Sequence, residues 1–189
     1  MLNPFTKVKA MLDQKTTLEL NQEDMPRIQL SPLDATHAPF VIELVNSPGW
    51  LEFIGERNVR SLEEAYAYIR KIESNPAVDY WVIQLKASKE PVGVVTLIRR
   101  DYLKSPDIGF ALLPAFEKQG YAFEAASLFL KDFISASPDK KIHAIILKHN
   151  RPSIQLIQKL GFVFDDEIEV NGEQLSLYSK KMTQQGPKN

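Results

Sequence analysis

From residue 26 onward the apolar positions alternate between two periods, one suited to strands and one to helices. Ile28 and Leu30 mark a first strand, closed by Ser31 and Pro32. Asp34 stands where it caps a helix running to about Val45, with Phe40, Val41 and Leu44 as the buried stripe. A second helix is predicted from Ser61 to about Glu73. Glu63 and Glu64 occupy its first turn, where carboxylates favour the helix dipole, and Asn75-Pro76 ends it. Tyr80–Lys86 and Val92–Arg99 read as strands of one hairpin. Ser105-Pro106 turns into Asp107–Leu113, almost all apolar, as suits a strand covered on both faces. Pro114 cannot donate to a ladder, so that strand stops.

The second half repeats the alternation. Gly120 opens an alanine-rich helical run from Ala122 to about Ser135, and Ile142–Leu147 is a strand. Asn150 lies just past its end, in N-cap position for a helix over Arg151–Leu160. Ile154, Ile157 and Leu160 share one face of that helix, Gly161 ends it, and Phe162 leads into the next strand. Val163–Val170 and Glu173–Lys181 form a last hairpin around Asn171-Gly172, a strong type I′ signal. Residues 1–25 carry one candidate extra strand at 16–20, and the tail from Thr183 is polar.

Composition narrows the function classes. The chain has 189 residues, 44% hydrophobic and 25% charged, which suits one domain with an ample core. A formal net charge of -1 gives no general pull toward nucleic acid or an anionic membrane. There is no cysteine, which removes disulfides, thiolate metal sites and a thiol nucleophile. No stretch approaches a transmembrane span or the apolar core of a signal peptide, so a cytoplasmic location is expected.

Two stretches carry candidate chemistry. The strand, glycine loop and helix at 107–127 outline an anion cradle, since first-turn N–H groups and the positive end of the dipole face the loop. Close packing of helix on sheet is the plain alternative for Gly120 and Ala122. The segment 117–122, Glu-Lys-Gln-Gly-Tyr-Ala, fits Arg/Gln-x-x-Gly-x-Gly/Ala at Gly120 and Ala122. Farther on, Asn150, Ser153, Lys159, Leu160, Gly161 and Phe162 fit Asn-x-x-Ser…Lys-Leu-Gly-Phe throughout. In that order and spacing the two blocks resemble the GNAT acyltransferase superfamily, and the serine variety resembles its RimJ/RimL branch.

The resemblance implies an α/β (α+β) fold. It is a mixed, mostly antiparallel sheet of about seven strands flanked by about four helices, with a V-shaped splay between two central parallel strands. It implies a domain over 26–182, an N-terminal extension at 1–25 and a tail at 183–189. The implied activity is transfer of an acetyl group from acetyl-CoA to a primary amine, a protein N-terminus or a small molecule, by direct attack on the thioester. A GNAT-fold module that binds acyl-CoA without turnover is the alternative. No metal, nucleic acid or membrane partner is implied, and the chain is expected to be a monomer or homodimer.

Site residues follow from the same resemblance. Gln119, Gly120, Tyr121, Ala122 and Phe123 would hold the coenzyme A diphosphate through backbone N–H groups, with charge added by Lys118. Glu117 departs from the family's Arg or Gln and would repel it. Backbone N–H groups at Phe110, Ala111 and Leu112 would polarise the thioester carbonyl. Asn150 would hold a cofactor amide or serve as a plain N-cap. Many family members place a tyrosine acid where this chain has Ile157. Ser153 is the substitute here, or else a first-turn serine satisfying backbone. Asp107 is the candidate base, or a turn cap after Ser105-Pro106; His149 is a lesser one. Trp50, Phe53, Arg57 and Arg60 lie on a connection, 46–61, that would cover the acceptor site. The plain alternative is that the aromatics plug the core and the arginines form solvated ion pairs. His37 and His143 read as structural, and Glu167, Glu169 and Glu173 as solvated strand faces.

Overall fold

A computed structural model describes residues 26–136 and 141–182; the strand expected at 16–20 and the tail from Thr183 lie outside them. Strand β1 is Ile28–Pro32, at one edge of the sheet, where a proline removes no ladder bond that a central strand would need. Asp34 caps a short 3₁₀ turn, Ala35–His37, by accepting the Thr36 N–H at 2.9 Å. The turn runs into α1, Ala38–Val45, which buries Phe40, Val41 and Leu44.

The connection 46–61 is not all loop. Pro48–Phe53 is a helix, α2, with its proline in the first turn, where a missing N–H costs nothing. That makes five α-helices among the described residues rather than about four. Helix α3, Leu62–Glu73, begins with a capping box: Glu64 N–H donates to Ser61 Oγ at 3.2 Å and Ser61 N–H to Glu64 Oε2 at 2.9 Å.

Strands β2 (Val78–Leu85), β3 (Pro91–Ile98) and β4 (Asp107–Leu112) continue the antiparallel sheet from β1. Helix α4, Tyr121–Ala136, crosses to β5, Lys141–Leu147. Helix α5, Arg151–Lys159, precedes β6 (Val163–Val170) and β7 (Glu173–Lys181). Asn171 and Gly172 have φ of 53° and 81°, as a type I′ turn requires. The seven strands lie in the order β1-β2-β3-β4-β5-β7-β6.

Every neighbouring pair is antiparallel except β4 and β5. These run parallel and share one register pair, Asp107 with His143. The His143 N–H donates to Pro106 O at 2.9 Å beside it. Beyond this point β4 stays paired to β3 as far as Leu112, and β5 to β7 as far as Leu147–Leu175. The two strands therefore part, as the resemblance implies.

Two apolar clusters cover the sheet. Ala125, Ala126, Phe129, Leu130 and Phe133 of α4, with Ile157 of α5, pack on β1, β2, β3, β5 and β7 residues. Helices α1 to α3 pack through Leu44, Trp50 and Ile69 on Val82 and Val94.

Candidate active site

The parting of β4 from β5 opens a cavity of about 840 Å³, within the usual range for small-ligand sites. Its wall on β4 is backbone. Leu113 N–H donates to Val92 O at 2.9 Å, and the antiparallel register with β3 is unbroken. Alternation then turns the Ala111 and Gly109 peptide groups toward β3, and those of Phe110 and Leu112 toward the opened side. Of the three donors expected at 110–112, Ala111 is therefore committed to the ladder, and Phe110 and Leu112 face the gap.

At the closed end stands Asp107. It is buried, and Arg100 donates to it from Nε at 2.7 Å and Nη2 at 3.3 Å. Burial pushes its carboxyl above the ordinary value, against the pull of the guanidinium. Both residues line the cavity. His143 pairs across from Asp107, with Nδ1 buried and without a hydrogen-bond partner among the described residues.

The loop before α4 is tight. Lys118 and Gly120 both have positive φ, 59° and 86°. The first bond within the helix is Glu124 N–H to Gly120 O at 3.0 Å, so the N–H groups of Tyr121, Ala122 and Phe123 stay outside the ladder. Lys118, Gly120, Ala122 and Phe123 line the cavity. The side chains of Gln119 and Tyr121 do not. Gln119 Nε2 folds back on Ala115 O at 2.8 Å, and the Tyr121 ring sits under the Arg27 guanidinium at 4.5 Å. Glu117 is exposed on the cavity wall, its Oε1 3.6 Å from where a Cβ on Gly49 would lie.

Asn150 is the N-cap of α5: its Oδ1 accepts the Ser153 N–H at 3.2 Å. Asn150 and Ser153 line the cavity, as do Pro152 and Leu156. Ile157 is buried in the core and stays out of it.

Helix α2 forms the facing wall with Gly49, Trp50, Phe53, Ile54 and, beyond its end, Arg57. Phe53 reaches the far side, its ring centroid 5.7 Å from that of exposed His149. Trp50 is not exposed: it is 2% accessible, because α2 lays it against the core of α1 and α3. Its Nε1 has no hydrogen-bond partner among the described residues. Arg57 donates to Gly55 O and Glu56 O at 3.2 Å and Ile54 O at 3.3 Å, closing the end of α2. Arg60 is not brought to the cavity; it pairs with Glu56 at 2.8 Å, one turn back along an exposed surface.

Sequence reasoning missed Arg27 and Glu124, which clasp the α4 loop from outside the cavity. It also missed Tyr80 and Arg100 as lining residues. Arg27 and Glu124 stand 97 positions apart, beyond the reach of any local pattern. Among the described residues no group of three His, Asp or Glu side chains could hold a metal ion, and no helix is long and apolar enough to cross a membrane.

A family model described as an acetyltransferase (GNAT) domain matches residues 27–163. No curated protein matches the sequence. Solved structures do. A spermidine N-acetyltransferase from Vibrio cholerae, in complex with CoA and spermine, aligns with a TM-score of 0.70 at 20% identity, covering 82% of this chain and 96% of that one. RimL, a ribosomal L7/L12 alpha-N-protein acetyltransferase in complex with coenzyme A, gives 0.70 at 17% identity over 84% and 96%. A ribosomal-protein-S5-alanine acetyltransferase from Vibrio fischeri gives 0.70 at 18% identity over 92% and 100%. At these identities the likeness is one of fold.

Proposed function

Because this chain belongs to the acetyltransferase (GNAT) domain family, we propose that it is an acetyl-CoA-dependent N-acetyltransferase of RimJ/RimL type, with its catalytic domain over 26–182. One observation supports this most. The freed edge of β4, the N-terminus of α4 and the N-terminus of α5 all open on one cavity.

The residues present suit coenzyme A. Gly120 exposes backbone at a helix start, and the first-turn N–H groups there can hold a diphosphate. Asn150 and the parted edges of β4 and β5 offer partners to the amides of a pantetheine arm. Phe110 and Leu112 N–H groups are fixed before the reaction, so they can stabilise a developing oxyanion without reorganising. Asp107 takes the proton from the acceptor amine, directly or through water. A carboxyl raised by burial is better matched to that work near neutral pH. Ser153 gives a proton to the departing thiolate and regains one through solvent, matching the proton that Asp107 takes from the amine. A C–N bond forms as the C–S bond breaks, and with no cysteine in the chain the acyl group passes directly.

The acceptor enters past Trp50, Phe53 and Arg57. Charge argues against a polyamine there. The cavity is lined by Arg57, Arg100, Lys118 and Lys159 against Asp107, Glu117 and Glu173, and Asp107 is already spent on Arg100. A peptide N-terminus or a small monoamine suits this balance better than several ammonium groups.

The test is thiol release from acetyl-CoA with peptides of varied N-terminus, monoamines and spermidine. Turnover with a peptide or monoamine and none with spermidine is expected. Turnover with spermidine alone overturns the acceptor class. Tight coenzyme A binding with no turnover on any acceptor would favour a binding module. Glu117 in the loop and Ile157 in place of a tyrosine are what favour that second reading.

A further inference from the structure

The geometry points to Arg27 as the residue that orients the α4 loop for a diphosphate, acting from behind the loop without touching the ligand. This rests on the reading above that the loop holds coenzyme A.

Arg27 stands just before β1 and lies outside the cavity lining. Its Nη2 donates to Gln119 O at 3.0 Å, and its Nε donates to Glu124 Oε2 at 2.9 Å. Its guanidinium covers the Tyr121 ring at 4.5 Å. Glu124 in turn accepts the backbone N–H groups of Arg27 and Ile28 on Oε1, at 2.5 and 3.2 Å. The Arg27 carbonyl accepts the Lys86 N–H at 2.9 Å, which ties the clasp to the sheet.

Peptide planarity supplies the reason. In a trans peptide the C=O of one residue and the N–H of the next point in opposite directions. Holding Gln119 O toward Arg27 therefore aims the Gly120 N–H the other way, toward the cavity that Gly120 lines. Gly120, at φ +86°, has the freedom to take this orientation, and a Cβ there would meet Arg27 Nη2 at 3.3 Å. The clasp has a second effect. Glu124 is an acidic group in the first turn of the helix and would compete with a diphosphate for its positive end. Two backbone N–H groups and the Arg27 guanidinium hold it toward β1 instead. The Arg27 side chain is 54% accessible, so the ion pair by itself contributes little. What Arg27 adds is a fixed direction for one peptide plane.

Calorimetry on the full chain tests this, with coenzyme A and with pantetheine, which lacks the diphosphate. Arg27→Met keeps the stem and loses every side-chain donor. It is expected to weaken coenzyme A binding about tenfold, the loss of one positioned hydrogen bond, and to leave pantetheine affinity within twofold. Arg27→Lys reaches Glu124 or Gln119 O but not both, and should fall between. It carries the test if Arg27→Met does not fold. Equal losses for both ligands would make Arg27 merely structural and overturn the inference, as would unchanged coenzyme A binding. Gly120→Glu separates the two readings. If it also leaves coenzyme A affinity unchanged, the loop is not the diphosphate site. If it abolishes binding while Arg27→Met does nothing, only the role of Arg27 is lost.

Discussion

Arg100 grips Asp107 through two nitrogens, Nε at 2.7 Å and Nη2 at 3.3 Å, at the one point among the described residues where β4 and β5 are in register. The carboxylate is thus both a structural partner and the best-placed base. Burial keeps its charged form costly, and Arg100 keeps that form available.

Asp107→Asn separates these roles. It keeps the shape and one acceptor oxygen for Arg100 but has no basicity. If Asp107 takes the amine proton, kcat should fall by ~10² or more, with the melting temperature little changed. Steady-state rates and a melting curve check this. A rate loss below about tenfold returns Asp107 to holding Arg100.

Ser153 is expected to act late. Its N–H is spent on Asn150, while its side chain is on the cavity wall. Ser153→Ala should lower kcat more than it raises KM for acetyl-CoA, because the interaction grows as the thiolate forms. A change confined to KM would make it a binding residue.

Glu117→Gln should tighten coenzyme A binding. At ~6 Å and an effective dielectric of ~40, one unit charge costs about 1.4 kcal/mol, so tenfold is the upper limit. The carboxylate extends toward Gly49 across the wall, and the gain should be correspondingly smaller. It should shrink further at high salt. Titrations at two ionic strengths decide it, and unchanged affinity at low salt removes Glu117 as a penalty on binding.

His143 makes stability depend on pH in a stated direction. Burial, and after it the charge of Lys141, holds its pKa below the ordinary 6.5, while Asp165 and Asp107 pull the other way. As pH falls below 6.5 the unfolded chain takes up a proton that the folded one resists, so stability present above that pH is lost. His143→Gln should flatten the melting temperature between about pH 6.5 and 5. The raised Asp107 carboxyl has the opposite sign and acts lower, in the carboxylate range. An unchanged slope in the variant would assign the loss to other groups.

The elements most legible in the sequence are those whose signals are local. Asn171-Gly172 set both ends of the last hairpin, and Val163–Val170 and Glu173–Lys181 form as read. Ser61 and Glu64 mark the start of α3 because they satisfy each other's backbone. Helix α2 was hidden because Pro48 reads as a breaker, although a first-turn position tolerates it. Whether Trp50 covers the acceptor site or plugs the core is not legible, because six helical residues carry too little pattern to show which face is covered. At the site, the helix start after Gly120 and the cap at Asn150 are readable from residue type alone. The turn of Ala111 toward β3, the reach of Phe53 to His149 and the hold of Arg27 on Gln119 each depend on partners distant in the chain.

The single register pair between β4 and β5 also divides the molecule mechanically. Strands β1 to β4 form one leaf and β5 to β7 another, sewn together by one stitch. What keeps the leaves from separating is therefore side-chain packing, in the one apolar cluster that joins Phe129 and Phe133 of α4 with Ile108 of the first leaf and Ile142 and Ala144 of the second. Phe129→Ala would then loosen the seam as well as leave a void. Amide hydrogen exchange should quicken along β5 and β7 before it does in the β2–β3 ladder.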